Sequence, residues 1–134
     1  KLSEGRNSVV DGVPRELPAL LRALRVQDKA SKVGFDWEKK EDVWKKVQEE
    51  LGELQREAGT DNHERIEEEL GDLLFAIVNY ARFLHTNPEY ALRRTVDKFI
   101  ERFQYIEAKL KEEGKDISRT TLEEMDKLWE EAKG

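Results

Sequence analysis

Cysteine is missing from all 134 residues, which excludes disulfides, thiolate metal sites and cysteine nucleophiles. There are two histidines, too few for a histidine-rich metal centre. Three prolines and eight glycines are all that break up the chain, so it reads as helical. No apolar run approaches the roughly 18–20 residues that span a bilayer, and no signal peptide is recognisable; no membrane association is expected, and the expected location is cytoplasmic. Basic charge is also in deficit. Lys and Arg number 24 against 30 Asp and Glu, a net charge of −6, which gives no general attraction to nucleic acid or anionic lipid. No Gly-rich phosphate loop, Ser-His-Asp set or nucleic-acid-binding module is present. What the chain does have is charge of both signs, 40% of residues against about 25% in an average domain. Its 37% hydrophobic content is enough for one ordinary core.

Residues 1–12 are polar and without period and read as a flexible tail or linker; residues 13–134 read as one domain. Five helical segments follow. Pro14 and Pro18 frame the first, with Leu20, Leu21, Leu24 and Ala30 as its apolar positions up to Gly34. After the aromatic loop Gly34-Phe35-Asp36-Trp37, with Asp36 or Asp42 as the expected cap, Val43, Val47, Leu51 and Leu54 mark one face of a second helix. Gly59-Thr60-Asp61-Asn62 ends it. Ile66, Leu70, Leu73, Leu74, Ile77, Ala81 and Leu84 give the third helix its stripe. Asn87-Pro88 opens a fourth carrying Leu92, Val96, Phe99, Phe103, Ile106 and Leu110. Thr121 and Glu124 form a capping box before a short fifth helix holding Met125, Leu128 and Trp129. The expected fold is all-α: a helical bundle with a four-helix core and a short fifth helix. The broad apolar faces argue that dimerisation completes it.

The acidic residues worth following are those beside an apolar face. With Val43 at zero and about 100° per residue, the second helix is apolar from about 0° to 100°, while Glu50 falls near −20° and Glu53 near −80°. Glu49 lies further out, beside Glu53. On the third helix, with Ile66 at zero, Glu69, Asp72, Ala76 and Asn79 form a seam along one edge of the apolar arc, near −60° to −140°. Gly52 and Gly71 sit inside the two acidic clusters and each costs about 1 kcal/mol relative to Ala, as suits a close helix approach or a ligand against the backbone. Two antiparallel helices would face Glu50 and Glu53 toward Glu69 and Asp72. Such carboxylates cannot all stay charged at a core edge without cations. An all-oxygen ligand set selects a hard ion, Mg²⁺ first and Mn²⁺ second, and Mg²⁺ usually completes its shell with water and substrate phosphates.

A lone Glu-Glu-x-x-Glu is most often a solvated helix face. A second Glu-x-x-Asp on the next helix, also at a core edge with an internal glycine, weighs against that reading. A di-iron bundle would need Glu-x-x-His, and Thr60 and Arg82 stand where those glutamates belong. His63 and His85 read as loop or helix-end surface residues. On the fourth helix Lys98 and Arg102 share a face at i, i+4, suited to phosphate oxygens or to neighbouring glutamates. Trp37 and Trp129 are the aromatics freest to stack on a base, with packing as the competing role.

Glu49-Glu50-x-x-Glu53, fifteen intervening residues and then Glu69-x-x-Asp72 resembles the all-α nucleoside triphosphate pyrophosphohydrolases of the MazG type. The segments Val10-Asp-Gly-Val-Pro, Leu17-Pro-Ala-Leu, Lys32-Val-Gly-Phe-Asp-Trp, Glu68-Glu-Leu-Gly-Asp-Leu-Leu-Phe-Ala and Lys98-Phe…Arg102-Phe extend the resemblance over about residues 9–130. It implies Mg²⁺-dependent hydrolysis of a nucleoside triphosphate to the monophosphate and pyrophosphate by a homodimer, a house-cleaning activity on nucleotide pools. It implies Glu50, Glu53, Glu69 and Asp72 as metal ligands, with Glu49 as a supporting catalytic carboxylate. Lys46, Arg65, Lys98, Arg102 and Trp129 match nucleotide-contact positions, with lysine the usual residue at the Arg65 position, and Asn79 is a further candidate for base recognition. The opening segment is similar to the start of the C-terminal half of two-repeat members, so an excised half is expected, with a single-repeat protein as the alternative. Rival activities are a dUTP- or dCTP-selective hydrolase or a phosphoribosyl-ATP pyrophosphatase of the same fold. From another class, the rival is a non-catalytic acidic helical dimer that binds a protein partner.

Overall fold

Asparagine, proline and threonine set the helix starts in the computed structural model, which describes residues 8–134. Residues 1–7 of the expected tail lie outside the described residues. The helices are α1 (Ala19–Ser31), α2 (Lys40–Ala58), α3 (His63–Phe83), α4 (Pro88–Glu112) and α5 (Leu122–Ala132), with a 3₁₀ turn at Ile117–Arg119. No strand occurs among the described residues, so the all-α expectation holds. The Asn62 side chain accepts from the Arg65 N–H at 3.2 Å to start α3, and Asn87 accepts from the Glu89 N–H at 2.9 Å to start α4. Helix α2 differs from expectation. Its cap is Lys39, with no side-chain hydrogen bond, because the Asp36 carboxylate is taken by the Trp37 N–H and by Arg82.

The chain divides into two compact units, the first ending at Glu89 and the second running from Tyr90 to Gly134. In the first, α2 packs along α3 and α1 also lies against α3. The four-residue connection between α2 and α3 makes them neighbours with opposed directions. Val47, Leu73 and Ala76 form their core, covered by Leu54 and Tyr80, and Trp44 tilts against Tyr80 at 5.1 Å. In the second, the C-terminal part of α4 meets α5 through Ile106, Leu110 and Leu128, flanked by Phe103, Ile117, Met125 and Trp129. Thr121 caps α5 as expected, accepting from the Glu124 N–H. The Glu124 carboxylate instead takes the Lys115 ammonium at 2.9 Å.

Two readings of the helix faces need correction. The buried arc of α2 is turned toward the acidic edge, and α3 is buried on both sides of its stripe. Val43, Val47 and Glu50 are buried on α2, and on α3 Leu73, Ala76 on the acidic edge and Val78 on the opposite one, whereas Leu51, Leu70, Leu74 and Ile77 are exposed. Periodicity locates an apolar stripe, but which part of a wide stripe is covered depends on the neighbour. Within the chain the glycines are not points of close helix approach, which leaves the other reading, a ligand against the backbone. A side chain at Gly71 would meet nothing within 4 Å, and one at Gly52 only the Arg56 guanidinium at 3.8 Å.

Candidate active site

The burial of Glu50 on α2 and of Ala76 on α3 brings the acidic seam to the α2–α3 contact. Glu50, Glu69 and Asp72 each offer a carboxylate oxygen, and these oxygens all lie within 4.8 Å of one another. Glu50 is only 8% exposed. Its Oε2 is buried with no hydrogen-bond partner, and its Oε1 lies 3.5 Å from the Lys46 ammonium. That ammonium is already bonded to Glu49 at 2.8 Å. This bond, with the charges of Glu50 and Glu49 adding to it, raises the Lys46 pKa against the opposing effect of burial. One shared lysine cannot neutralise three carboxylates. The strain appears at Glu69, whose pKa is raised by burial first and then by the charges of Glu50, Asp72, Glu53 and Glu68. A buried carboxylate with an unpartnered oxygen, grouped with two further carboxylates, is the donor set of a cation site. The cluster can hold a metal ion.

The remaining expected residues sort by place. Glu53 is near enough to raise Glu69, yet its carboxylate is paired with Arg56 one turn along α2 and lies outside the three-residue group. Glu49 is exposed and tied to Lys46. Arg65 is exposed and pairs with Glu57 at 3.1 Å across the α2–α3 turn. Lys98, Arg102 and Trp129 belong to the second unit. There the Arg102 guanidinium stands 5.3 Å from the Trp129 ring centroid, and Trp129 tilts against Phe99 at 5.4 Å. Lys98 is exposed.

Beside the acidic cluster the first unit has a cavity of about 800 Å³, with Lys46, Glu50 and Asp72 in its wall. Ala76 and Asn79 continue the α3 seam along it, and Phe35 and Trp37 bring the α1–α2 loop to it. Ala76 thus has two jobs, packing in the core and leaving the wall low. The size and mixed lining suit a small organic ligand. Gln27, Asp36 and Arg82 also line this cavity, and sequence reasoning missed all three. Gln27 is buried, donates to the Phe75 carbonyl at 2.9 Å and keeps a buried, unpartnered Oε1. The signal available was a polar side chain at i+3 from Leu24 on the apolar stripe of α1.

A family model described as the MazG nucleotide pyrophosphohydrolase domain matches residues 38–106, which include both acidic clusters. The chain belongs to this family. It is 46% identical over 118 residues to the nucleoside triphosphate pyrophosphohydrolase/pyrophosphatase MazG of Thermotoga maritima, covering 88% of this chain and 45% of that protein. It is 39% identical over 135 residues to the nucleoside triphosphate pyrophosphohydrolase of Escherichia coli K12, covering 99% and 51%. Against the uncharacterized protein YabN of Bacillus subtilis the identity is 52% over 128 residues, 95% of this chain and 26% of YabN. The chain therefore spans about half the length of the two MazG-type relatives with a stated activity. Among the described residues no helix is long and apolar enough to cross a membrane.

Proposed function

We propose that this MazG domain hydrolyses nucleoside triphosphates to the monophosphate and pyrophosphate with Mg²⁺. The observation that carries this reading is the convergence of Glu50, Glu69 and Asp72 carboxylate oxygens within 4.8 Å of one another, with one Glu50 oxygen buried and unpartnered, at the wall of a cavity of about 800 Å³. Glu50, Glu69 and Asp72 would hold the ion, with Glu53 joining them by leaving Arg56. Mg²⁺, when bound, neutralises phosphate charge and makes a water more acidic. The protein's own contribution is to fix the triphosphate at the acidic end and the nucleoside in the cavity. Lys46 pairs with Glu49 and Glu50, and with an ion held by the carboxylates it would be free to turn toward phosphate oxygens. Glu49, freed of Lys46, would help to orient the attacking water. The resemblance adds Arg65, Lys98, Arg102 and Trp129 as nucleotide contacts and makes the functional unit a homodimer.

A panel of nucleotides with and without Mg²⁺, read separately for pyrophosphate and orthophosphate, tests the reaction. Metal-dependent pyrophosphate with monophosphate is expected, and the ranking of bases separates a broad enzyme from a dUTP- or dCTP-selective one. Glu50→Gln should lower turnover by roughly 10²–10³-fold, the order of loss when one electrostatic catalytic group is removed, and leave the fold intact. Orthophosphate alone, or full activity in that variant, refutes the reading.

A further inference from the structure

Arg82 makes the contact that joins the α1–α2 loop to the polar wall of the cavity. Its Nη1 and Nη2 donate to Asp36 Oδ2 and Oδ1 at 3.2 and 2.5 Å. Its Nε and Nη2 also donate to Asn79 Oδ1 at 3.0 and 2.9 Å. The pair is well shielded, with 16% of the Arg82 side chain and 26% of the Asp36 side chain exposed. Asp36 additionally accepts from the Trp37 N–H at 2.8 Å. One guanidinium therefore holds the loop carrying Phe35 and Trp37 and grips an α3 amide, and Phe35, Asp36, Trp37, Asn79 and Arg82 all line the same cavity.

The grip fixes the polarity of that amide. Arg82 has only donors, so the Asn79 atom facing it is the oxygen, and Asn79 is left with N–H donors alone for a ligand. A bidentate, charge-assisted contact holds such an orientation better than a lysine or a neutral donor. We propose that Arg82, anchored by Asp36, is a positioning residue for the nucleoside. It holds Asn79 as a pure donor toward an acceptor atom of the base or sugar, and holds the Trp37 loop across from it. This rests on the nucleotide reading of the cavity given above. It assigns the selectivity for the nucleoside portion to a three-residue relay, Asp36–Arg82–Asn79, outside the acidic cluster.

The test is calorimetric binding of two probes in Mg²⁺, α,β-methylene-ATP and inorganic tripolyphosphate, which lacks the nucleoside. Arg82→Lys should weaken the nucleotide about tenfold, the order of one hydrogen bond made by a charged group, and bind tripolyphosphate within twofold of wild type. Adding Arg82→Lys to Asn79→Ala should cost less than the sum of the two single losses, because part of what the arginine does it does through the asparagine. Asp36→Asn, which leaves Arg82 in place, should show the same selective loss and carries the test if Arg82→Lys melts below the assay temperature. Equal loss of both probes, no loss of either, or additivity with Asn79→Ala overturns the relay. Wild-type chain that binds the nucleotide but releases no pyrophosphate refutes the proposed reaction and leaves the relay standing. Wild-type chain that binds no nucleotide overturns both.

Discussion

Glu69 is where the cost of gathering carboxylates shows. Its pKa is raised by burial and by the charges of Glu50, Asp72, Glu53 and Glu68, so the folded chain holds this proton more tightly than the unfolded chain does. Stability contributed by protonating Glu69 is present below the unfolded pKa and is lost as pH rises through the raised, folded one. Metal-free protein should therefore become more stable as pH falls from neutral toward that range. Glu69→Gln, which removes the charge, should melt higher than wild type in EDTA at neutral pH and flatten the pH dependence. Wild type should gain about 2.7 kcal/mol when Mg²⁺ is a hundredfold above its dissociation constant, and Glu69→Gln should gain much less. Thermal melts in EDTA and in Mg²⁺ across pH check both parts. A variant that melts lower than wild type in EDTA would mean that the cluster is not electrostatically strained.

Among the elements, α5 was the most legible. Its cap residue and its apolar positions Met125, Leu128 and Trp129 are all where the sequence pattern puts them, since a short amphipathic helix has one narrow face to bury. Leu128→Ala should destabilise the chain by about 2–5 kcal/mol through the cavity it leaves. Leu122→Ala, at a position 78% exposed, should stay within about 0.5 kcal/mol; denaturant unfolding followed by tryptophan fluorescence separates the two. Helices α2 and α3 were legible as elements but not in orientation. Their apolar arcs are wide, and periodicity alone cannot say that Leu73 and Ala76 are covered while Leu70 and Leu74 are not. Which residues are covered also decided the site. Spacing picked out Glu50, Glu69 and Asp72, but not that Glu53 would turn to Arg56 or Arg65 to Glu57, because local ion pairs are a matter of rotamer. Asp36–Arg82, 46 residues apart, carries no local signal at all.

At the scale of the whole molecule, the leftover apolar surface is the point to explain. On α3 and its C-cap, Leu70, Leu74, Ile77 and Leu84 are 43–45% exposed, and with Ala81 they follow one another at spacings of four, three, four and three. That is the spacing of a helix seam, and a patch of this kind is unusual on a chain with 40% charged residues. A second copy is the simplest occupant, since a two-fold axis lets the same stripe face itself without a new complementary surface. Sedimentation of the wild-type chain should then give the mass of a dimer, dissociating on dilution. Ile77→Glu places a charge in the middle of the stripe and should give a monomer. The substitution lies on a face that is exposed within one chain, so helicity should be retained while association is lost. Its melting temperature should also stop depending on protein concentration, as the wild type's must depend on it if folding and association are linked. A wild-type chain that sediments as a monomer at tens of micromolar would leave the stripe without a partner of its own kind and remove the homodimer from the proposed function.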